Sequence, residues 1–428
     1  MKLTSQDRNN ILLVLLLGMA VGLAFGLSFY ARFPEKCDDI DEFGLLAARF
    51  AADLTFGGSV RRAPVYPFLL STIYLVFGPH NHTALIAFQA LCLSFLGAGF
   101  YLFSKKAYGS SQLALGTGFL IILNPFVIWY VPRIWIELVF TLLTSVMVFA
   151  AYLALRYRTP RTLIFFGLAT GLSALCKAVT LLFPLFLALS LVVLRTRPSG
   201  PFSHFPMKKI AGFLLIPTAV AALTISPWTI RNRIVTGRWI LVSTNLGVEY
   251  HRGDYLARHN SFLISRKTLV DTLGDCVAEE NRILQGLGKD PALISGLEKE
   301  DVFRNLMWED IRSGPQQHIL KTLKQIPAFW YKGNAWWTSL YFLGQSAVFL
   351  ALFGTALFHL RRRRELGVLV GLFIVYMTLL HASLVAIARY SLPLYPLMTL
   401  VIAAWWMDKR QRLRETREKG GSGDHRRG

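Results

Sequence analysis

The stretch ILLVLLLGMAVGLAFGLSFYA (11–31) decides the class of fold. It holds 21 residues without a charge, and about 20 apolar residues in an α-helix cross the ~30 Å hydrocarbon core of a bilayer. A cleaved signal peptide has a shorter apolar core that ends at a small-residue cleavage site, and no such site follows here. The sequence therefore predicts a retained transmembrane helix.

Further apolar segments repeat this pattern along the chain, in which 54% of the residues are hydrophobic. They are 65–78, 84–103, 112–131, 134–155, 162–176, 178–194, 210–228, 335–360, 366–388 and 391–407. VYPFLLSTIYLVFG (65–78) is short for a span and suits an interfacial helix. We therefore expect an all-α polytopic membrane protein with about ten crossings.

The charges predict how the chain is threaded. The chain carries 46 Lys and Arg against 25 acidic residues, a net charge of +21. The basic residues fall in short connectors, as the positive-inside rule describes, which argues against nucleic-acid binding. If 65–78 lies on the outer surface, these connectors share one side with both termini. Regions 32–64 and 229–334, which hold 18 of the 25 acids, then face outward. A bacterial inner membrane with these regions in the periplasm is the expected location.

Four parts are expected in this arrangement. Residues 1–228 form an N-terminal transmembrane module that includes an extracytoplasmic loop at 32–83. Residues 229–334 form a folded extracytoplasmic loop domain, because about a hundred residues are too many for a structureless loop. Residues 335–407 are C-terminal transmembrane helices, and 408–428 is a basic cytoplasmic tail expected to be disordered.

Metal and disulfide chemistry receive little support from the sequence. It has no Gly-rich phosphate loop, no HExxH and no CxxC pair, so no metal site and no cofactor are predicted, although a divalent cation on clustered carboxylates stays open.

Cys37 and Cys276 both fall in regions expected to face outward. The sequence is compatible both with two separate thiols and with a disulfide between these two cysteines.

Acidic and basic residues converge at the predicted outer face. EKCDDIDEF (35–43) puts five carboxylates into eight positions. Glu137 lies at a membrane boundary, where an unpaired acid is costly. The predicted outer helix ends also carry cationic residues and a tyrosine: Arg62, Arg133, Lys177, Arg231, Arg389 and Tyr390. A single arginine at a helix end commonly snorkels to lipid phosphates, but five separate cationic sites together predict binding of an anionic, membrane-embedded head group.

This combination suggests group transfer. A carboxylate can remove the proton of an incoming hydroxyl, and cations can stabilise a departing phosphate. A transporter or flippase of a lipid-linked or anionic solute is the main alternative, although such proteins tend to show repeated halves and broken helices at the midplane. A non-catalytic lipid-carrier-binding protein is a third reading, which would need the cations alone.

Six segments, in order, carry a family resemblance. The chain resembles the GT-C superfamily of membrane glycosyltransferases, specifically the family 39-like enzymes, which include protein mannosyltransferases and the lipid A aminoarabinose transferase. The segments are DIDEFGLLAARF, RAPVYPFLLSTIYLVFG, RIWIELVFTLL, GLATGLSALCKAVTLLFPL, SPWTIRNRIVTGRWILVSTNLGVEYHRGD and RYSLPLYPLMTLVIA.

The resemblance implies an activity and a set of roles. It implies inverting transfer of a sugar from a polyprenyl phosphate to a hydroxyl of a lipid, glycan or protein, at the extracytoplasmic face and without a metal. By position Asp39 matches the family's catalytic base, Asp38 is the adjacent alternative, and Glu42 follows. Beside the donor phosphate the resemblance favours four cations, with Glu137 near the sugar or pairing one of them. These cations are Arg62, Lys177, Arg231 and Arg389.

Overall fold

A computed structural model of the chain describes residues 3–37, 42–197, 200–203, 205–259, 268–360 and 364–421. Within these ranges the regular structure consists of α-helices and short 3₁₀ turns, with no strand. The predicted all-α fold is confirmed.

The N-terminal half contains ten helices among the described residues. They are α1 (Ser5–Arg32), α2 (Phe43–Asp53), α3 (Val65–Phe77), α4 (His82–Tyr108), α5 (Ser111–Ile122), α6 (Pro125–Ile128), α7 (Glu137–Tyr157), α8 (Pro160–Cys176), α9 (Phe183–Leu194) and α10 (Met207–Thr236). Four helices follow outside the apolar segments: α11 (Leu246–His259), α12 (Leu269–Gly286), α13 (Gly296–Ser313) and α14 (Pro315–Tyr331). The chain then returns through α15 (Trp336–His359), α16 (Arg364–Ser383) and α17 (Leu394–Gly421).

Six of these helices are long and apolar enough to cross a membrane: α1, α4, α7, α10, α15 and α16. Four shorter apolar helical segments, Val65–Phe77, Ser111–Ile122, Pro160–Cys176 and Ala178–Leu194, overlap predicted segments, and the last of them joins a 3₁₀ turn to α9. The remaining predicted segment, 391–407, begins at the end of the 3₁₀ turn Ala388–Ser391 and continues in α17. That helix runs past residue 407 to Gly421, because its Arg, Gln, Glu and Lys residues favour helix. Residues 422–428 lie outside the described part of the chain.

The predicted segment 112–131 is not one continuous helix. α5 ends at Ile122, and the side chain of Asn124 accepts a hydrogen bond of 2.9 Å from the backbone N–H of Phe126. Pro125 is the first residue of α6. Asn at the N-cap and Pro at the first helical position both start a new helix. This restart leaves residues 129–136 as an irregular connector that leads into Glu137 at the start of α7.

Small residues let α1 and α4 pack closely. A Cβ atom added at Gly22 would lie 2.7 Å from the Cβ of Ala90, and one at Gly26 would lie 2.5 Å from a methyl of Ile86. At the N-terminal end of α1 the buried Asp7 accepts a hydrogen bond of 2.8 Å from the hydroxyl of Tyr101. These contacts fix α1 along its length against α4.

Helices α11–α14 are attached to the segment that precedes Arg389. The Gln325 amide donates to the carbonyl of Leu384 at 3.3 Å and accepts from the N–H of Ala386 at 3.2 Å. The carbonyl of Lys332, just after α14, accepts from the N–H of Ala388 at 2.9 Å. The loop helices thus hold residues 384–388 in place.

The disulfide alternative for Cys37 and Cys276 is wrong. Both thiols are buried and neither takes part in a disulfide. The Sγ of Cys37 lies 3.6 Å from the carbonyl oxygen of Phe33, which it faces as a donor. The Sγ of Cys276 lies 3.9 Å from the carboxylate of Glu280, one turn further along α12. Each thiol therefore faces a partner four residues away in the sequence.

Candidate active site

A buried ion pair lies where α7 begins. Glu137 is 5% exposed and its carboxylate is 3.6 Å from the Nε of Arg389. Arg389 sits in the 3₁₀ turn Ala388–Ser391, and its guanidinium carbon lies 5.1 Å from the ring centre of Trp135. Because a buried carboxylate needs a cation or hydrogen bonds to stay charged, this pair orients Arg389 at the end of the bundle.

Lys177 reaches the same place from another direction. It ends α8, and its ammonium lies 3.6 Å from the ring centre of Tyr390 and 5.6 Å from that of Phe140. Phe140 is one turn along α7 from Glu137. The structure therefore brings four of the predicted site residues together: Glu137, Lys177, Arg389 and Tyr390.

Glu42 and Arg62 line a second part of this end. Arg62 lies over the ring of Phe43 at 5.2 Å, and Glu42 forms an exposed ion pair of 3.2 Å with Arg61. Partial burial and the charge of Arg62 lower the pKa of Arg61. Glu42 has a φ of +64°, a left-handed backbone conformation that is uncommon outside glycine.

Buried contacts link the two parts of the site. The ring of Phe43 meets that of Tyr66 edge-on at 5.3 Å. The amide of Gln89 lies 3.4 Å from the hydroxyl of Tyr66 and donates to the carbonyl of Arg133 at 2.5 Å. Arg133 in turn lies 5.8 Å from the ring of Trp135. A continuous packed wall therefore runs from Arg62 to Arg389.

Two predicted cations are engaged with other parts of the protein. Arg133 is 4% exposed, lies 4.8 Å from the ring of Phe29, and donates to the carbonyl of Trp129. Arg231 donates to the carbonyl of Ser59 at 2.8 Å and to that of Gly57. Arg133 thus packs against α1, and Arg231 binds the segment before Arg61 through two main-chain carbonyls.

The two predicted bases, Asp38 and Asp39, lie outside the described residues, as does Asp41. The described residues on either side of this gap contact Ile134 and Arg61. The carbonyl of Cys37 accepts from the N–H of Ile134 at 3.5 Å, next to Arg133. Glu42 is paired with Arg61. Among the described residues no cluster of three or more His, Cys, Asp or Glu side chains could hold a metal ion.

Several residues of the site were not singled out from the sequence. Trp135, Phe140 and His381 lie within apolar segments, where an aromatic residue is most simply read as packing; the ring centre of His381 is 4.8 Å from that of Tyr390. Of these, only His381 carries a polar group unusual for a membrane helix. Outside the site, Lys332 is also buried, at 5% exposed, and burial lowers its pKa to about 7.

Comparisons with known proteins agree with this fold. Residues 61–230 match the model of the dolichyl-phosphate-mannose-protein mannosyltransferase family. The archaeal oligosaccharyltransferase AglB from Archaeoglobus fulgidus, solved in complex with an inhibitory peptide and a dolichol-phosphate, is similar in structure. It superposes with a TM-score of 0.55 at 12% identity, over 98% of this chain and 52% of the AglB chain. The chain has the GT-C fold.

The structural similarity thus confirms a GT-C-like membrane fold, the family match over residues 61–230 agrees with it, and the six long apolar helices support an integral membrane protein. The chain spans about half the length of AglB. No curated protein matches its sequence. The matched family region begins at Arg61 and includes Glu137 and Lys177, two of the residues that converge in the site.

Proposed function

We propose that this GT-C protein transfers a sugar from a polyprenyl-phosphate donor to an acceptor hydroxyl, with inversion at the anomeric carbon. The observation that carries the proposal is the convergence of Lys177 and the Glu137–Arg389 pair at one end of the bundle. Two cations beside one buried carboxylate suit a lipid-linked phosphate whose charge grows as it leaves. The family match over residues 61–230 supports the same donor class.

In the proposed step a carboxylate of the acidic cluster takes the proton of the acceptor hydroxyl. The acceptor oxygen then bonds to the anomeric carbon while the bond from that carbon to the phosphate oxygen breaks, and the phosphate leaves with the electron pair. Lys177 and Arg389 balance its charge. Asp39 is the favoured base and Asp38 its neighbour, as the family resemblance implies.

The charge distribution supports an extracytoplasmic site. Basic residues gather at the other end of α7, where Arg156 pairs with Glu365 at 3.6 Å and Lys106 lies 5.8 Å from the ring of Tyr157. By the positive-inside rule that end faces the cytoplasm. The proposed site then opens to the periplasm of a bacterial inner membrane, where a lipid, glycan or protein acceptor is available.

A transfer assay tests this function. Purified protein in liposomes receives polyprenyl-phosphate mannose, glucose or aminoarabinose, together with a lipid and protein extract of the envelope as acceptor. We expect release of polyprenyl phosphate and a product of inverted anomeric configuration from at least one donor. Asp39→Asn should abolish transfer while the protein stays folded, and Asp38→Asn should retain most of it.

The same liposomes separate the proposal from the transport alternative. Movement of the lipid-linked sugar between leaflets without release of polyprenyl phosphate would contradict the transfer function and favour a flippase. Full activity of Asp39→Asn would contradict only the assignment of Asp39 as the base and would leave the transfer function standing.

A further inference from the structure

Two buried polar atoms flank the Arg389–Tyr390 dipeptide without a role in the proposed transfer step. The Nε2 of His381 and the Nε1 of Trp135 are shielded from solvent and have no hydrogen-bond partner among the described residues. Most buried polar atoms in proteins are hydrogen-bonded. Two such atoms beside one site therefore point to a ligand that supplies the missing partners.

The surroundings of His381 define which of its nitrogens is protonated. His381 is 4% exposed, and its Nδ1 lies 2.9 Å from the carbonyl oxygen of Met377. A carbonyl only accepts, so Nδ1 carries the proton and Nε2 of the neutral ring is an acceptor. The ring is fixed between Phe329, at 5.4 Å, and Tyr390, at 4.8 Å between ring centres. Nε2 is thus a hydrogen-bond acceptor fixed in position beside Tyr390, the ring that Lys177 contacts.

Trp135 supplies the opposite function on the other side of the dipeptide. Its ring centre lies 5.1 Å from the guanidinium carbon of Arg389 and 5.7 Å from the ring centre of Tyr130. An indole N–H can only donate. The site therefore carries one unused donor next to Arg389 and one unused acceptor next to Tyr390.

The chemistry of the donor decides what can satisfy these atoms. The phosphodiester of a polyprenyl-phosphate sugar carries no proton, so it cannot donate to His381. Sugar hydroxyls both donate and accept. We propose that His381 and Trp135 form a subsite for hydroxyl groups of the transferred sugar, beside the phosphate-binding Lys177 and Arg389. This inference rests on the proposed function, since it assigns the sugar part of the same donor.

Binding measurements test the subsite without requiring turnover. The dissociation constants of two probes are measured for purified protein: polyprenyl phosphate without a sugar, and the polyprenyl-phosphate sugars used in the transfer assay. We expect at least one sugar to tighten binding to the wild type. His381→Phe keeps a ring against Tyr390 but removes the acceptor, and Trp135→Phe removes the N–H. Each should lose about tenfold of affinity for that sugar-bearing probe and leave the sugar-free affinity unchanged.

Two further variants guard against a trivial result. His381→Gln keeps an acceptor oxygen and should recover part of the lost affinity. His82→Phe is a matched control, because His82 also stacks on a tyrosine, Tyr30, at 4.3 Å, and it should leave both affinities unchanged. The thermal unfolding midpoint of each variant shows that it is folded.

Several outcomes would overturn the subsite. An equal loss of affinity for both probes in His381→Phe would mean that His381 acts only through Tyr390 and Lys177. An unchanged affinity of His381→Phe for the sugar-bearing probe would also contradict the subsite. So would a wild type that binds no sugar-bearing probe more tightly than polyprenyl phosphate. A wild type that binds the sugar-bearing probe more tightly yet releases no polyprenyl phosphate would sustain the subsite and refute the transfer function.

Discussion

The ammonium of Lys177 lies 3.6 Å from the ring centre of Tyr390, so the end of α8 meets the turn that precedes α17 through a cation–π contact. Such a contact contributes about 0.5–2 kcal/mol, the larger values where it is shielded from water. The ring therefore helps to set where the proposed phosphate-binding ammonium points.

Replacement of Tyr390 by leucine tests this contact. Tyr390→Leu removes the ring face and should weaken binding of polyprenyl phosphate by roughly two- to thirtyfold, the equivalent of the free energy above. Tyr390→Phe keeps the face and should bind within about threefold of the wild type. Tyr157→Leu is the matched control, since Lys106 lies 5.8 Å from that ring at the other end of α7. A loss in Tyr390→Phe as large as that in Tyr390→Leu would rule out the ring face as the cause.

Removal of the charge on Glu137 should affect both stability and transfer. Glu137→Gln leaves Arg389 without its buried counter-ion, and breaking a buried pair costs about 3–5 kcal/mol. We expect a lower thermal unfolding midpoint and a fall of about tenfold or more in kcat/KM, because a misplaced Arg389 balances the leaving phosphate less well. The assay compares kcat/KM and unfolding in the same preparation.

Glu365→Gln provides the comparison for that variant. The Arg156–Glu365 pair has the same 3.6 Å separation at the other end of α7 but is more exposed, with 27% of the Glu365 side chain accessible against 7% for Glu137. It should therefore show a smaller loss of stability and no loss of kcat/KM. Equal effects of the two substitutions on transfer would show that the Glu137–Arg389 pair has no special part in the reaction.

Sequence patterns predict the helices of this protein better than the roles of its cations. An uncharged stretch such as 11–31 is stable in a bilayer as a helix, because a helix satisfies its own backbone hydrogen bonds. Helix α1 includes this stretch. Asn124 and Pro125 are local helix-start residues, and their effect on 112–131 could have been read from the sequence. Long-range hydrogen bonds could not have been predicted from the sequence. The guanidinium of Arg231 binds the carbonyls of Gly57 and Ser59, partners that no sequence spacing reveals.

The position of Arg389 also depends on the docking of the loop helices. A Cβ atom added at Gly253 in α11 would lie 1.5 Å from the carbonyl oxygen of Leu384, far inside contact distance. Gly253→Ala should therefore displace α11 from residues 384–388, expose the loop helices to limited proteolysis and lower transfer at least tenfold.

Gly274→Ala is the matched control for this change. Gly274 lies in α12, and nothing lies within 4 Å of the Cβ that alanine would add. Alanine in a helix interior is favoured over glycine by up to about 1 kcal/mol, so this variant should resist protease at least as well as the wild type. Similar proteolysis of Gly253→Ala and the wild type would show that this close contact does not hold the loop helices.

Lys332 should make stability depend on pH. Burial lowers its pKa to about 7 from a usual 10.5, so between these values the native state binds fewer protons than the unfolded chain. The free energy of unfolding contributed by this group therefore rises with pH through that window, and the full cost of burying the ammonium is present below it. This cost is about 1.4 kcal/mol for each unit of pKa lowered.

Lys332→Met removes the charge and tests this directly. Its unfolding midpoint should exceed that of the wild type most at pH 6, and the difference should shrink as the pH rises towards 10. Lys324→Met, at an exposed position in α14, should show no such trend. A gain in Lys332→Met that is the same at every pH would mean that folding does not lower the pKa of Lys332.

The central claim is that Lys177 serves the departing phosphate, and the rate of polyprenyl-phosphate release by Lys177→Met tests it most directly. Loss of one charge-stabilising donor lowers rates by about 10²–10³-fold, so we predict a fall of that size with the wild-type fold retained. Lys106→Met, which removes a ring-associated lysine at the other end of α7, should release polyprenyl phosphate at the wild-type rate. An unchanged rate in Lys177→Met, or an equal loss in Lys106→Met, would contradict the account.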